Sequence, residues 1–312
     1  MGKDERLERC LLGIALGDSL GLPMEGLKKR RVERMFSGPI RQRMCFGRGL
    51  LSDDTLMAVA TIQAFHVANG DVDRFANELA NRLRTWFWCI PPGIGLATIK
   101  SCLKLTFGFG PMRSGVASAG NGPAIRAVVL GYLISDSVTR NEWIRTSTII
   151  THTSKTAIEG SQILGLATTL MKDNRWEEFD SEVARCFPTW DWRSAWPTSG
   201  PTGYILHTVN ATIDCIKLSS QNLSQSIELA IRMGGDTDSV AALAGGICGV
   251  GTVDSTIPEG WINWIGWPQP IQISGVVDGS IQRLNVPAIL AQHAISLLLI
   301  IPHIVKRALP PY

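Results

Sequence analysis

Paired cysteines are missing from this 312-residue sequence. The seven present, Cys10, Cys45, Cys89, Cys102, Cys186, Cys215 and Cys248, are odd in number, show no CxxC spacing and mostly sit in apolar runs. That pattern disfavours a disulfide framework or a zinc site and predicts buried free thiols in a reducing compartment. An excess of one charge is missing too. The net charge is +3 and the basic residues are scattered, apart from Lys28-Lys29-Arg30-Arg31 and the nearby Arg34. So short a run reads as a solvated face or loop, and nucleic acid is not expected as a specific partner. No secretory signal is visible, because the first residues are charged and Asp18 interrupts the apolar stretch that follows. A cytoplasmic protein is expected. The most apolar segment, Val286 to Val305, contains Gln292, His293, Ser296, Pro302 and His303. It falls short of the roughly 20 uniformly apolar residues of a membrane span, so residues 286–312 are expected to form a packed C-terminal helix and tail. Internal repeats and linker-like segments are also lacking, which predicts one domain over residues 1–312.

What is present is helical periodicity. Hydrophobic residues make up 45% of the chain and charged residues 18%, an ordinary globular balance. Apolar stripes predict helices over residues 7–22, 52–68, 72–88, 94–106, 122–134, 140–149, 154–171, 176–186, 203–218, 223–233 and 239–250. Turn signals at Pro91-Pro92-Gly93, residues 108–115, 197–201 and Gly234-Gly235 separate them. Alternating strand-like segments are scarce, so an all-α fold is expected. Ala241, Ala242, Ala244, Gly245, Gly246 and Gly249 crowd the last of these helices. Small residues allow close backbone approach, so this helix is expected to be central.

Two acidic clusters stand at predicted helix starts: Ser52-Asp53-Asp54-Thr55 and Gly235-Asp236-Thr237-Asp238-Ser239. Capping accounts for one such residue per helix, since a Ser, Asp or Thr oxygen accepts from free backbone N–H groups and an acid complements the helix dipole. Each cluster instead offers two carboxylates with flanking hydroxyls. Clustered carboxylates repel unless a cation compensates them, and hard divalent ions prefer oxygen ligands of this kind. Two such pairs brought together could hold two ions and activate a water.

These residues resemble the motifs of a known family. Ser52-Asp53-Asp54-Thr55-Leu56-Met57 is similar to the (T/S)DDTxM motif of the ADP-ribosylglycohydrolases, and Gly234-Gly235-Asp236-Thr237-Asp238-Ser239 to their GGDTD(T/S) motif. In family order around them come Gly17-Asp18-Ser19-Leu20-Gly21-Leu22-Pro23-Met24-Glu25 (GDxLGxPxE), Ser118 to Arg126 (GNGxxMR), Thr151-His152 with Ala157 (THxxxxA) and Gly203-Tyr204-Ile205-Leu206 (GYxL). The resemblance implies a single multi-helix domain with a dinuclear Mg²⁺ or Mn²⁺ centre in a central cleft. Its implied metal ligands are Ser52, Asp53, Asp54, Asp236, Asp238 and Ser239, where Ser52 keeps the hydroxyl of the usual Thr. Glu25, Asp54 and Asp238 are the implied catalytic residues, with Glu25 as the acid/base. Ser118, Gly120, Asn121, Gly122, His152 and Tyr204 are the implied substrate-binding residues. Read without the family, Glu25 is a surface residue after a turn, the Asn121 loop is a turn before a Pro123-initiated helix, His152 is a packed histidine and Tyr204 is core. The implied substrate is an ADP-ribosylated protein side chain or a small ADP-ribosyl compound, and the alternative is a silent ADP-ribose-binding member of the same fold. One departure bears on the acceptor: Gly93 stands where relatives of the arginine-specific and dinitrogenase-reductase types carry an aspartate.

Overall fold

A computed structural model describes residues 4–44, 47–251, 256–262, 265–266 and 271–308, with the side chains of residues 300–308 left aside. The expected Cys45 thiol lies outside these residues. The order is α1 (Glu5–Gly21), α2 (Lys29–Met35), α3 (Asp53–Ala68), α4 (Val72–Phe87), α5 (Leu96–Thr106), α6 (Pro111–Ser114), α7 (Ala124–Leu133) and α8 (Ser137–Ile149). There follow α9 (Lys155–Lys172), α10 (Phe179–Cys186), α11 (Ile205–Leu218), α12 (Leu223–Met233), α13 (Thr237–Gly249), α14 (Glu259–Ile262), α15 (Ile273–Val277) and α16 (Val286–Ala308). Most coincide with the periodic segments. The exceptions have local causes. α8 starts at Ser137 because the Asp136 side chain accepts from Thr139 N, a cap four residues upstream of the first expected helical residue. The basic run forms α2, a short helix whose only buried residue is Val32.

The small-residue helix is central, and its partner is α1. The two pack antiparallel along a seam of glycines. A Cβ added at Gly13 would lie 2.2 Å from the Gly245 carbonyl oxygen, and one at Gly17 2.2 Å from Ala241 backbone atoms. One at Gly21 would lie 2.6 Å from Asp238 Cα. No real side chain fits those distances, so the backbones touch directly. Gly13, Gly17 and Gly21 recur every four residues and share one face of α1. The seam therefore brings the C-terminal end of α1 against the N-terminus of α13, where the second acidic cluster sits. Around this pair, α3, α7, α9, α11 and α12 complete the core, which includes Leu11, Ile14, Leu16, Ile62, Val128, Ile213, Ile227 and Ile247.

The described cysteines are all free, and Cys10, Cys89, Cys102, Cys215 and Cys248 are buried as expected, whereas Cys186 at the end of α10 is exposed. α16 packs on α4, with Ile289, Gln292 and His293 buried and His293 Nδ1 2.7 Å from the Cys89 carbonyl oxygen. Among the described residues, no helix is long and apolar enough to cross a membrane.

Candidate active site

Three chain segments are zipped together at the N-terminus of α13. Leu27-Lys28 pairs antiparallel with Gly234-Gly235, and Gly26 N donates to the Gly235 carbonyl oxygen at 2.7 Å. Asp236 N donates to the Pro201 carbonyl oxygen at 2.8 Å. Gly234 and Gly235 adopt φ of +73° and +76°, and a Cβ at Gly235 would lie 2.1 Å from that Pro201 oxygen. Only glycine meets both demands. The consequence is that the Glu25 turn, the 199–203 loop and the second acidic cluster share one wall.

The first cluster arrives from α3. Ser52 is the N-cap, its hydroxyl accepting from Asp54 N at 3.2 Å. The whole helix start is clamped by Asp18 of α1. Fully buried, Asp18 accepts from Ser52 N at 2.9 Å, Thr55 N at 3.2 Å and Thr55 Oγ1 at 2.5 Å. Asp18 is absent from the expected site residues, although an acid alone in an apolar helix was the available signal: burying a carboxylate is tolerated only where donors wait for it. We expect Asp18→Ala to leave those buried donors unpaired, lowering stability by about 2 kcal/mol or more. Denaturant unfolding of Asp18→Ala should show that loss, and an unchanged midpoint would refute the clamp.

A cleft of about 470 Å³ opens over these segments. Glu25, Asp53, Asp236, Asp238 and Ser239 line one part of it. Ser118, Gly120, Asn121, Gly122 and His152 line another, with Gly93 and Thr98 beside them. Ser52 and Asp54 stand just behind the wall: Ser239 Oγ donates to Asp54 Oδ2 at 2.9 Å, linking the two clusters. Asn121 Nδ2 donates to Asp236 Oδ2 at 2.6 Å and to Thr208 Oγ1 at 3.0 Å, while Asn121 N donates to the Gly203 carbonyl oxygen. Asn121 therefore orients one of the acids as well as closing its own loop.

His152 is buried, and its Nδ1 lies 2.9 Å from Thr151 Oγ1, which also accepts from Arg126 Nη2 at 2.6 Å. Burial first, and the Arg126 guanidinium second, push the imidazole down to about 3, so it is neutral at ordinary pH. A Cβ at Gly120 would stand 2.9 Å from His152 Nε2, which explains the glycine beside it. Tyr204 is 38% exposed, outside the core, and packs edge-on against His207 just before α11. It lies at the foot of the loop bridged to Gly120 and does not line the cleft. Gly93 presents open space and φ of +76°.

The electrostatics of the acid wall are one-sided. Burial raises Asp18 to about 6 and Asp53 to about 7, the latter pushed further by neighbouring Asp18, Glu25 and Asp236. Burial and then the charge of Asp53 raise Asp54 well above the usual carboxylate range; burial and then Glu25 do the same for Asp238. Asp236 is also raised by burial. Among the described residues, none of these five aspartates forms a salt bridge with a Lys, Arg or His. Asp238 Oδ1 is buried with no hydrogen-bond partner at all. The described His, Cys, Asp and Glu side chains do not form a ready group of three around one metal position. Asp54 and Asp236 instead spend an oxygen on Ser239 and Asn121. An oxygen-only donor set, uncompensated negative charge and an orphaned carboxylate oxygen nevertheless suit a hard divalent cation.

Comparison with known proteins identifies the family. The ADP-ribosylglycohydrolase family model matches residues 2–281. An Archaeoglobus fulgidus protein with no activity in its name is 28% identical over 83% of this chain and 91% of its own length. An ADP-ribosylarginine hydrolase of Pseudomonas putida is 28% identical over 86% of this chain and 76% of its own. The ADP-ribosyl-dinitrogen reductase glycohydrolase of Rhodospirillum rubrum is 23% identical over 88% and 95%. A solved structure titled ADP-ribosylglycohydrolase-related protein complex shares the fold, with a TM-score of 0.65, 22% identity and coverage of 94% of this chain and 98% of the other. With its helical core, its ordered motifs and a match across most of its length, the chain belongs to the ADP-ribosylglycohydrolase family.

Proposed function

We propose that this protein is a divalent-cation-dependent hydrolase that removes ADP-ribose from an ADP-ribosylated protein side chain or a small ADP-ribosyl compound. The observation that carries the reading is the acid wall: Asp53, Asp236 and Asp238, from two helix starts, line one cleft beside Glu25, with no salt bridge to the aspartates among the described residues and with Asp238 Oδ1 orphaned. Asp53, Asp54, Asp236 and Asp238, with the hydroxyls of Ser52 and Ser239, would hold two Mg²⁺ or Mn²⁺ ions. Bound there, the ions supply a water of lowered pKa and offset charge developed during displacement.

The protein's own groups divide the remaining work. Glu25, on the turn pinned by Gly26, lines the cleft and would take or return a proton at its carboxylate. The Ser118–Gly122 loop precedes α7, and glycine-rich turns at a helix start offer backbone N–H groups to a diphosphate. Neutral His152 at the cleft edge can donate or accept a hydrogen bond without adding charge. Asn121 holds Asp236 in place while facing the same space. Tyr204, at the rim, would meet only the distal part of a substrate. Gly93 leaves that wall without a carboxylate, so the acceptor is chosen by Glu25 and the loops around it. The same feature favours the second reading, a silent binder, which metal-dependent ADP-ribose binding without product would select.

The direct test is release of free ADP-ribose from arginine-, serine- and nucleic-acid-linked substrates in Mg²⁺, Mn²⁺ or chelator. Release from at least one protein-linked substrate, abolished by chelator, is expected; no release from any of them would sink the reading of a protein side chain as acceptor.

A pH effect follows from the raised carboxylates. Unfolded aspartates titrate near pH 4, so Asp18 and Asp53, raised to about 6 and 7, bind protons more tightly when folded. Their contribution to stability is complete below pH 4 and is lost as pH rises through 6 to 7. Chelated protein should melt about 5 °C lower at pH 8 than at pH 5, and Mg²⁺ should remove most of that difference. Calorimetric melting that shows no drop in chelator would contradict the uncompensated acid wall.

A further inference from the structure

A second cavity, of about 480 Å³, lies between α3, α15 and α16 and shares no lining residue with the catalytic cleft. Leu56 and Val59 of α3, Val276 of α15 and Ile289 of α16 give it apolar walls. Two glutamines break that surface: Gln63, 1% exposed, and Gln292, 5% exposed. Gln63 Nε2 donates to the Arg283 carbonyl oxygen at 3.1 Å, which fixes the amide and leaves Oε1 buried without a donor. Gln292 Nε2 is buried without an acceptor. An orphaned buried acceptor and an orphaned buried donor are each destabilising, and native proteins rarely keep them unsatisfied. Here the two are complementary in kind, and their residues line one space large enough for a small molecule. The α16 part of the wall lies beyond residue 281, where the family match ends.

We propose that this cavity is a binding site for a small, mainly apolar molecule bearing an amide-like pair: an N–H for Gln63 Oε1 and a carbonyl oxygen for Gln292 Nε2. The apolar walls bury the body of the ligand, and the two glutamines select its polar end. Such a site discriminates strongly against a hydrocarbon of the same shape, because that occupant leaves both amides unpaired.

Benzamide and its hydrocarbon counterpart cumene are suitable probes for calorimetric titration of the full chain. Saturable benzamide binding is expected, at least tenfold tighter than that of cumene and unchanged by 1 mM ADP-ribose. Gln63→Leu and Gln292→Leu should each weaken benzamide at least tenfold and tighten cumene, and the gained cumene binding shows that the variant cavity is folded. Absence of saturable benzamide binding, equal affinity for the two probes, displacement by ADP-ribose, or affinities unmoved by both substitutions would overturn the proposal. None of these readouts depends on hydrolysis in the cleft.

Discussion

Asp238→Asn is expected to cut ADP-ribose release at least a thousandfold while making the metal-free protein more stable. The two effects have one cause. Asp238 is buried, and its charged form is opposed first by burial and then by Glu25, Asp236, Asp54 and Asp18. Its Oδ1 has no partner to offset that cost. An asparagine removes the charge and keeps the shape, so repulsion among the remaining acids falls. The gain should be about 1–2 kcal/mol at pH 8, in line with the stability–activity exchange common at strained sites. Catalysis loses a ligand oxygen from the wall that would hold the cations, hence the expected loss of turnover. Measured together, turnover and melting temperature in chelator separate a functional acid from a merely structural one. A variant that is less stable in chelator, or that keeps normal turnover, would show that Asp238 is not a strained ligand.

Gly17→Val is expected to lower stability more than valine at either other glycine of the α1 seam, Gly13 or Gly21. A Cβ at this position falls within 2.2–2.4 Å of Ala241 and Ala242 backbone atoms, so α1 and α13 would have to separate. Backbone cannot rotate away as a side chain can, and overpacking of this kind costs about 3 kcal/mol or more. The separation would also move the C-terminal end of α1, and with it Asp18, from the start of α3. Denaturant unfolding of Gly17→Val should therefore show a lower midpoint, with Gly17→Ala intermediate. A midpoint within error of wild type would mean that the seam yields freely.

How legible was this in the sequence? Local signals were read well where one residue type dictates local geometry. Ser52 caps α3 as its position before two aspartates suggested, and the crowded Ala and Gly residues marked α13 as central. The partner of α13 was not apparent, because the four-residue spacing of Gly13, Gly17 and Gly21 is meaningful only once the facing backbone is known. In the sequence Asp18 is an interruption of an apolar stretch and one residue of the Gly17–Glu25 motif; only its burial and its hydrogen bonds to the start of α3 make it the clamp of the site. The contacts joining the halves of the site span 115 residues between Asn121 and Asp236, and 185 between Ser239 and Asp54. Periodicity carries no information at that range, so the family motifs, not the residue pattern, brought these groups together. Tyr204 shows the reverse case: a tyrosine in an apolar context read as core, yet exposed because it precedes α11 at a loop bridged to Gly120.

The most direct test of the central claim couples metal content to turnover in one sample. Wild-type protein freed of metal, then titrated with Mn²⁺ while ADP-ribose release is followed, should show no release in chelator and full release as two ions bind per chain. Asp238→Asn should bind fewer ions and stay inactive. Full release from metal-free wild-type protein would contradict the account.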